Sequence, residues 1–163
     1  MEKYSEYRGK IKSGDLLAWT STGFSYMDIL GQIVRVFTRS EYSHVAIAWW
    51  SGNRLFMIEA IPPQVRIYPL GERVPFYHLG MDIEWKDSCD EYLLERVGQP
   101  YSMYEAVKAF LSKPDNNHTW ECAELCNRFY KNVGIDFGNS NVPSTLVQSA
   151  LEYSKNSLVY VEN

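Results

Sequence analysis

The order of apolar and polar positions divides the chain into a strand-forming first half and a helix-forming second half. Gly14-Asp15 is a turn, and Leu16-Leu17-Ala18-Trp19 after it is an apolar run of strand length. His44 to Trp50 and Leu55 to Ile61 are two further strands, joined by a hairpin turn around Ser51-Gly52-Asn53. Pro62-Pro63 ends the second of them. Val65 and Ile67 then alternate with Arg66 and Tyr68, which predicts a strand over 65–70. A weaker pattern predicts one over 76–84. Ile29, Ile33, Val36 and Phe37 recur at helical spacing and predict a helix over 26–37. From Asp87 the period is helical, over roughly 87–97, 102–112 and 119–133, with turns at Gly98-Gln-Pro100 and Lys113 to Asn117. A last helix is expected after Pro143 and a closing strand over 158–161.

Strands gathered first and helices after them predict an α+β fold rather than alternating βαβ units. No internal repeat and no long linker interrupts the chain, so a single domain over 1–163 is expected. With 163 residues, 45% of them hydrophobic, the chain can bury a core without disulfides or metals. The formal net charge is −4 and no Lys/Arg stripe is present, which argues against a nucleic-acid partner. No apolar run of membrane-spanning length occurs, so no stable membrane insertion is expected. The polar start, Met1-Glu-Lys-Tyr-Ser-Glu-Tyr-Arg8, has no signal-peptide pattern, and the expected location is cytoplasmic.

Three cysteines, Cys89, Cys122 and Cys126, do not make a disulfide framework. Cys122 and Cys126 lie four apart on one predicted helix face, where their side chains run parallel and pair poorly. No second ligand pair at a matching spacing completes a zinc site, so neither a metal nor another cofactor is expected.

Cys122 follows Thr119, a candidate helix N-cap, and so falls in the first turn of a helix. Unpaired N–H groups there stabilise a thiolate and can hold an oxyanion. Taken alone, this segment reads more readily as a buried structural cysteine. His44 begins a strand on whose face Ala46 and Ala48 follow. Those alanines leave room for a helix, and if the Cys122 helix packs there the imidazole reaches the sulfur. Glu59 sits between Ile58 and Ala60 in an apolar strand, where a carboxylate needs a partner. A hydrogen bond to His44 would satisfy it and fix the ring's tautomer; a salt bridge to Arg66 or exposure at a sheet edge are the alternatives. His118, four residues before Cys122, is a candidate to modulate the thiol, a bland loop histidine being the alternative; His78 and Cys89 have no chemical partner nearby in sequence, and Cys126 is expected in the core.

The ordered segments Thr38-Arg-Ser-Glu-Tyr-Ser-His44-Val-Ala-Ile, Ile58-Glu59-Ala60, Gly98-Gln-Pro-Tyr101, Trp120-Glu-Cys122-Ala-Glu-Leu125 and Val142-Pro-Ser-Thr-Leu146 resemble a known family. That family is the permuted branch of the NlpC-type papain-like cysteine hydrolases, in particular the YiiX/YaeF-like amidases. With Gly14-Asp15-Leu-Leu, the resemblance spans roughly residues 13–150. It implies a circularly permuted papain-like fold, with an antiparallel sheet packed against the helix that carries the cysteine. It implies Cys122 as nucleophile, His44 as general base and Glu59 as the polar third member of the site. Tyr101 matches a Gly-x-x-Tyr element and is implied as an oxyanion or substrate donor, a core tyrosine being the alternative. Ala123 departs from the serine often found after the cysteine, and the secreted leader typical of the family is missing.

The expected activity is therefore cleavage of an amide, through a Cys122 thioester, in a cell-wall-type peptide or related small amide. A compact form without a leader would suit a phage-encoded or cytoplasmic enzyme. Two alternatives stand beside it: a lipid acyltransferase or lipid amidase of the lecithin-retinol-acyltransferase-like type, and a binding module that keeps the groove without the chemistry.

Overall fold

The protein is seen in a computed structural model that describes residues 1–20, 41–101 and 121–163. The helices expected over 26–37 and 102–112, and the residues His118 and Thr119, lie outside the described residues. The described part is α+β. It holds a seven-stranded sheet, in the order β1-β7-β6-β2-β3-β4-β5. The strands are β1 (Glu2–Lys3), β2 (Leu16–Trp19), β3 (His44–Ser51), β4 (Arg54–Ile61), β5 (Gln64–Pro69), β6 (Phe76–Leu79) and β7 (Val159–Glu162). Four α-helices are described: α1 (Tyr4–Tyr7), α2 (Asp87–Leu94), α3 (Cys122–Asn132) and α4 (Pro143–Ser154). Short 3₁₀ turns occupy Arg8–Lys10 and Leu70–Arg73. Every strand pair is antiparallel except β1 with β7. None of the described helices is long and apolar enough to cross a membrane.

The β3–β4 hairpin closes after the pair Ser51↔Arg54, with Gly52 at φ 58°, a conformation glycine adopts without strain. Alternation along the strands then builds two apolar layers. Leu16, Val45, Ile47, Ile58, Ala60 and Val65 face α2, α3 and α4. Leu17, Ala46, Ala48, Leu55 and Met57 face Tyr7, Ile11 and Leu70 from the N-terminal segment and the second 3₁₀ turn. Cover on both faces explains why these strands read as continuous apolar runs rather than as alternating ones.

Three expectations need correction. The weak strand over 76–84 is only Phe76–Leu79, because the chain bends away at Asp82, whose φ is 50°. The helix over 87–97 ends at Leu94. The turn that follows runs to Gly98, whose φ of 86° no helix accommodates. The third concerns the helix bearing Cys122. It packs on the Val45/Ile47 face, not on the Ala46/Ala48 face. Val45, Ile47, Ile58 and Ala60 give Ala123, Leu125, Cys126 and Phe129 a broad apolar surface. The alanines lie under the N-terminal segment instead.

Candidate active site

His44 is the first residue of β3 and Cys122 the first residue of α3. They meet at the ends of their elements. By strand alternation His44 belongs to the face opposite α3, so packing of the helix against that face does not bring them together. Glu121 is the N-cap residue, with extended backbone, and its carbonyl accepts the first helical bond, from the Leu125 N–H at 3.0 Å. The cap position of α3 is therefore Glu121. The start of α3 leaves its first N–H groups without helical partners, beside the thiol.

The imidazole is held on two sides. Its Nε2 lies 2.6 Å from Glu59 Oε2. The Cys122 thiol is its other polar neighbour, and Nδ1 is the ring nitrogen left for it. Trp19, the cross-strand neighbour of His44, packs on the ring with centroids 5.5 Å apart. Extending the β3–β4 ladder from Ile47↔Ile58 puts Glu59 opposite Ala46, on the face of His44. The short Ala46 side chain, fully buried, leaves the space in which carboxylate and imidazole touch.

Glu59 has no solvent exposure. Arg66, its cross-strand partner on β5, reaches Glu59 Oε1 through Nε at 2.8 Å and Nη2 at 2.7 Å. Arg73, from the second 3₁₀ turn, adds Nη2 at 3.5 Å from Oε2. The sequence offered His44 and Arg66 as alternative partners, and the carboxylate takes both. Arg73 had no signal in the pattern, because it lies on a turn whose approach to β4 is a tertiary event.

The electrostatics follow from this geometry. Burial alone would lower the pKa of His44, but the hydrogen bonds and charges of Cys122 and Glu59 outweigh it and raise it to about 9. Burial would raise the Cys122 pKa. The His44 hydrogen bond and charge, with the N–H groups of Val45 and Ala123 aimed at the sulfur, bring it below the usual thiol range instead. For Glu59 burial again opposes ionisation, and His44, Arg73 and Arg66 together hold its pKa down to about 2. All three shifts run in the direction that favours a thiolate–imidazolium pair backed by a carboxylate.

Tyr101 is brought alongside by the chain crossing the β5 edge, where its N–H donates to the Pro63 carbonyl at 2.8 Å. Burial, then the charges of Cys122 and Glu121, push its phenol pKa up, so it stays a neutral O–H donor. Cys126 and Cys89 are buried in the core. His78 does have partners, which sequence proximity hid. Its Nδ1 is 3.0 Å from the Tyr7 hydroxyl and its Nε2 2.8 Å from Asp15 Oδ2. Asp15 also accepts from the N–H groups of Lys12 and Met81 at 2.7 and 3.0 Å. This network ties the N-terminal segment to β2 and β6.

No family model matches the chain, and no curated protein matches it in sequence. Among solved structures it is similar to the metalloprotein YiiX (DUF1105) from Escherichia coli O157:H7. The TM-score is 0.58 at 17% identity, over 92% of this chain and 88% of that one. The chain shares the YiiX fold. The word metalloprotein describes YiiX; among the described residues of this chain, no group of three or more His, Cys, Asp or Glu side chains is arranged to hold a metal ion.

Proposed function

We propose that the protein is a cysteine hydrolase with a circularly permuted papain-like architecture, cleaving an amide bond with Cys122 as nucleophile. The observation that carries this reading is the His44 ring, 2.6 Å from a wholly buried carboxylate on one side and beside the Cys122 thiol on the other. Nucleophile, base and orienting acid in contact are the parts that covalent acyl transfer requires. YiiX adds support for the architecture, since its fold is shared over nearly the whole chain.

In the proposed cycle the Cys122 thiolate attacks the amide carbon, forming the C–S bond and moving the carbonyl π pair onto oxygen. The Cys122 N–H at the start of α3 and the Tyr101 hydroxyl are the donors for that oxyanion. Collapse breaks the C–N bond, and imidazolium His44 gives its proton to the departing amine. Neutral His44 then takes a proton from water. The resulting hydroxide attacks the thioester, releasing the acid and returning the thiolate–imidazolium pair. Glu59 keeps the Nε2 proton in place throughout, so that Nδ1 is the working atom. The resemblance of the sequence points to a cell-wall-type peptide or a related small amide as substrate.

The test is selective alkylation followed by acyl trapping. At neutral pH iodoacetamide should modify Cys122 far faster than Cys89 or Cys126, and His44→Ala should abolish the difference. Incubation with a panel of peptide amides should leave a transient acyl mass on Cys122. Equal labelling of all three thiols would overturn the reading. An acyl mass from phospholipid vesicles and none from peptides would move the substrate to lipids.

A further inference from the structure

The buried acid of the site is surrounded by more cation than a histidine-orienting carboxylate needs. Arg66 places two donors on Oε1, at 2.8 and 2.7 Å, so that oxygen is fully occupied. Oε2 is shared between His44 at 2.6 Å and Arg73 at 3.5 Å. Both guanidinium groups are themselves held by aromatic faces: Arg66 lies 4.5 Å from the Tyr68 ring centroid and Arg73 5.9 Å from that of Trp19. Trp19 in turn packs on His44 and donates its indole N–H to the Arg73 carbonyl at 2.8 Å. The 3₁₀ turn that carries Arg73 is braced by the Tyr4 ring against Gly71, where a Cβ would come within 3.1 Å of the ring.

We infer that Arg66 and Arg73 are positioning residues for the hydrolase reaction, keeping Glu59 an anion with one oxygen aimed at His44 while the imidazole cycles between its charged and neutral forms. The inference rests on the function proposed above and adds the residues that regulate its proton inventory. The physical need is specific. When His44 surrenders its proton to the leaving amine, a buried carboxylate beside a neutral imidazole is costly, and the cheapest relief is for Glu59 to take up a proton. A protonated Glu59 no longer stabilises imidazolium, and the thiolate–imidazolium pair is not restored. Two fixed positive charges remove that route. Arg66 also fixes rotation, because its fork on Oε1 leaves Oε2 as the oxygen that meets Nε2.

The groups that act on Glu59 among the described residues are His44 from β3, Arg73 from the 3₁₀ turn and Arg66 from β5, with Cys122 beyond His44; the Cys126 thiol feels its charge only from the other side of the sheet. Of these, only the two arginines keep their charge at every stage of the cycle.

The experiment is the pH profile of Cys122 alkylation by iodoacetamide, read by intact mass, on the full chain. In the unaltered protein, labelling should stay fast into the acid range. In Arg66→Gln and Arg73→Gln, Glu59 protonates at higher pH, and the acid limb should move up by about one pH unit, an approximately tenfold loss of rate on that limb. Arg66→Lys keeps the charge but not the fork, so its profile should keep the limb position while the plateau rate drops. Thermal melts show which variants are folded. If Arg66→Gln fails to fold, Arg73→Gln and Arg66→Lys carry the same comparison, since both leave a cation on Glu59. Folded variants with the native profile would overturn the inference. Slow labelling of Cys122 in the unaltered protein, insensitive to His44→Ala, would instead overturn the hydrolase reading beneath it.

Discussion

Glu59 gives one carboxylate oxygen to Arg66 and the other to His44, with no exposure to solvent. This makes Glu59→Gln informative. The amide keeps the shape but loses the charge that raises the His44 pKa. Its NH₂ must also face either a guanidinium or the ring N–H, donor against donor. The expected result is a drop of at least about tenfold in the rate of Cys122 alkylation at neutral pH, the equivalent of one pKa unit in the pair. Breaking a buried ion pair costs about 3–5 kcal/mol, and the low end applies here because both arginines can still reach water. Denaturant unfolding of the variant measures that term, and an unchanged midpoint would mean that the carboxylate was not paired in the folded protein.

Stability should depend on pH with a definite sign on each side. Glu59 has its pKa lowered from 4.5 to about 2, so its contribution is fully present above 4.5 and is lost as the pH falls through 2. His44 has its pKa raised from 6.5 to about 9, so its contribution is fully present below 6.5 and is lost as the pH rises through 9. The site therefore stabilises the fold most between about 4.5 and 6.5. Melting temperatures of the native protein and His44→Ala should differ most in that window and converge above pH 9. A gap that widens with rising pH would contradict the imidazolium assignment.

How far the sequence carried this site follows from what each residue needed. His44, Glu59 and Cys122 were legible because each is a polar group at an improbable place, a strand start, an apolar strand and a helix start. The hairpin was legible from Ser51-Gly52-Asn53, which made His44 and Glu59 neighbours on adjacent strands. What was not legible was long-range. Periodicity gives the two faces of β3 but not which face a distant helix covers, and Ala46 and Ala48 pointed to the wrong one. The Asp15–His78–Tyr7 network joins segments 63 and 71 positions apart, and Arg73 reaches Glu59 across 14 positions from a turn whose approach no period records. The two-residue β1 gave no pattern, since a strand of that length has no period to read.

The Asp15–His78–Tyr7 network predicts a loss of stability without a loss of thiol reactivity. Asp15→Ala leaves the N–H groups of Lys12 and Met81, and His78 Nε2, without their acceptor. Each unmade buried bond costs about 1–3 kcal/mol, so the variant should be destabilised by several kcal/mol. Tyr7→Phe removes a single neutral bond and should cost about 1 kcal/mol. Chemical denaturation gives both values. Folded Tyr7→Phe should show native alkylation of Cys122; slowed alkylation there would connect this network to the site.

Cys122 and Cys126 stand one turn apart on α3, yet their thiols are pushed in opposite directions. Burial raises the Cys126 pKa well above its ordinary range, and the charges of Cys122 and Glu59 push it further. The charges that act on Cys126 are those of Cys122 and Glu59; the groups that act on Cys122 are His44 and the N–H groups of Val45 and Ala123. A helix turn advances the chain by about 5.4 Å, enough to carry the second sulfur from the helix start into the apolar layer between α3 and the sheet. The same helix should thus hold a reactive thiol and an inert one. Limited iodoacetamide at pH 7 should give a single adduct, at Cys122, and the Cys126→Ala variant should give the same adduct at the same rate. That variant loses one buried sulfur, a small group, and should be destabilised by about 1 kcal/mol. Modification of Cys126 in the folded protein, or a Cys126→Ala rate well below native, would show that the second thiol shares the charge of the first.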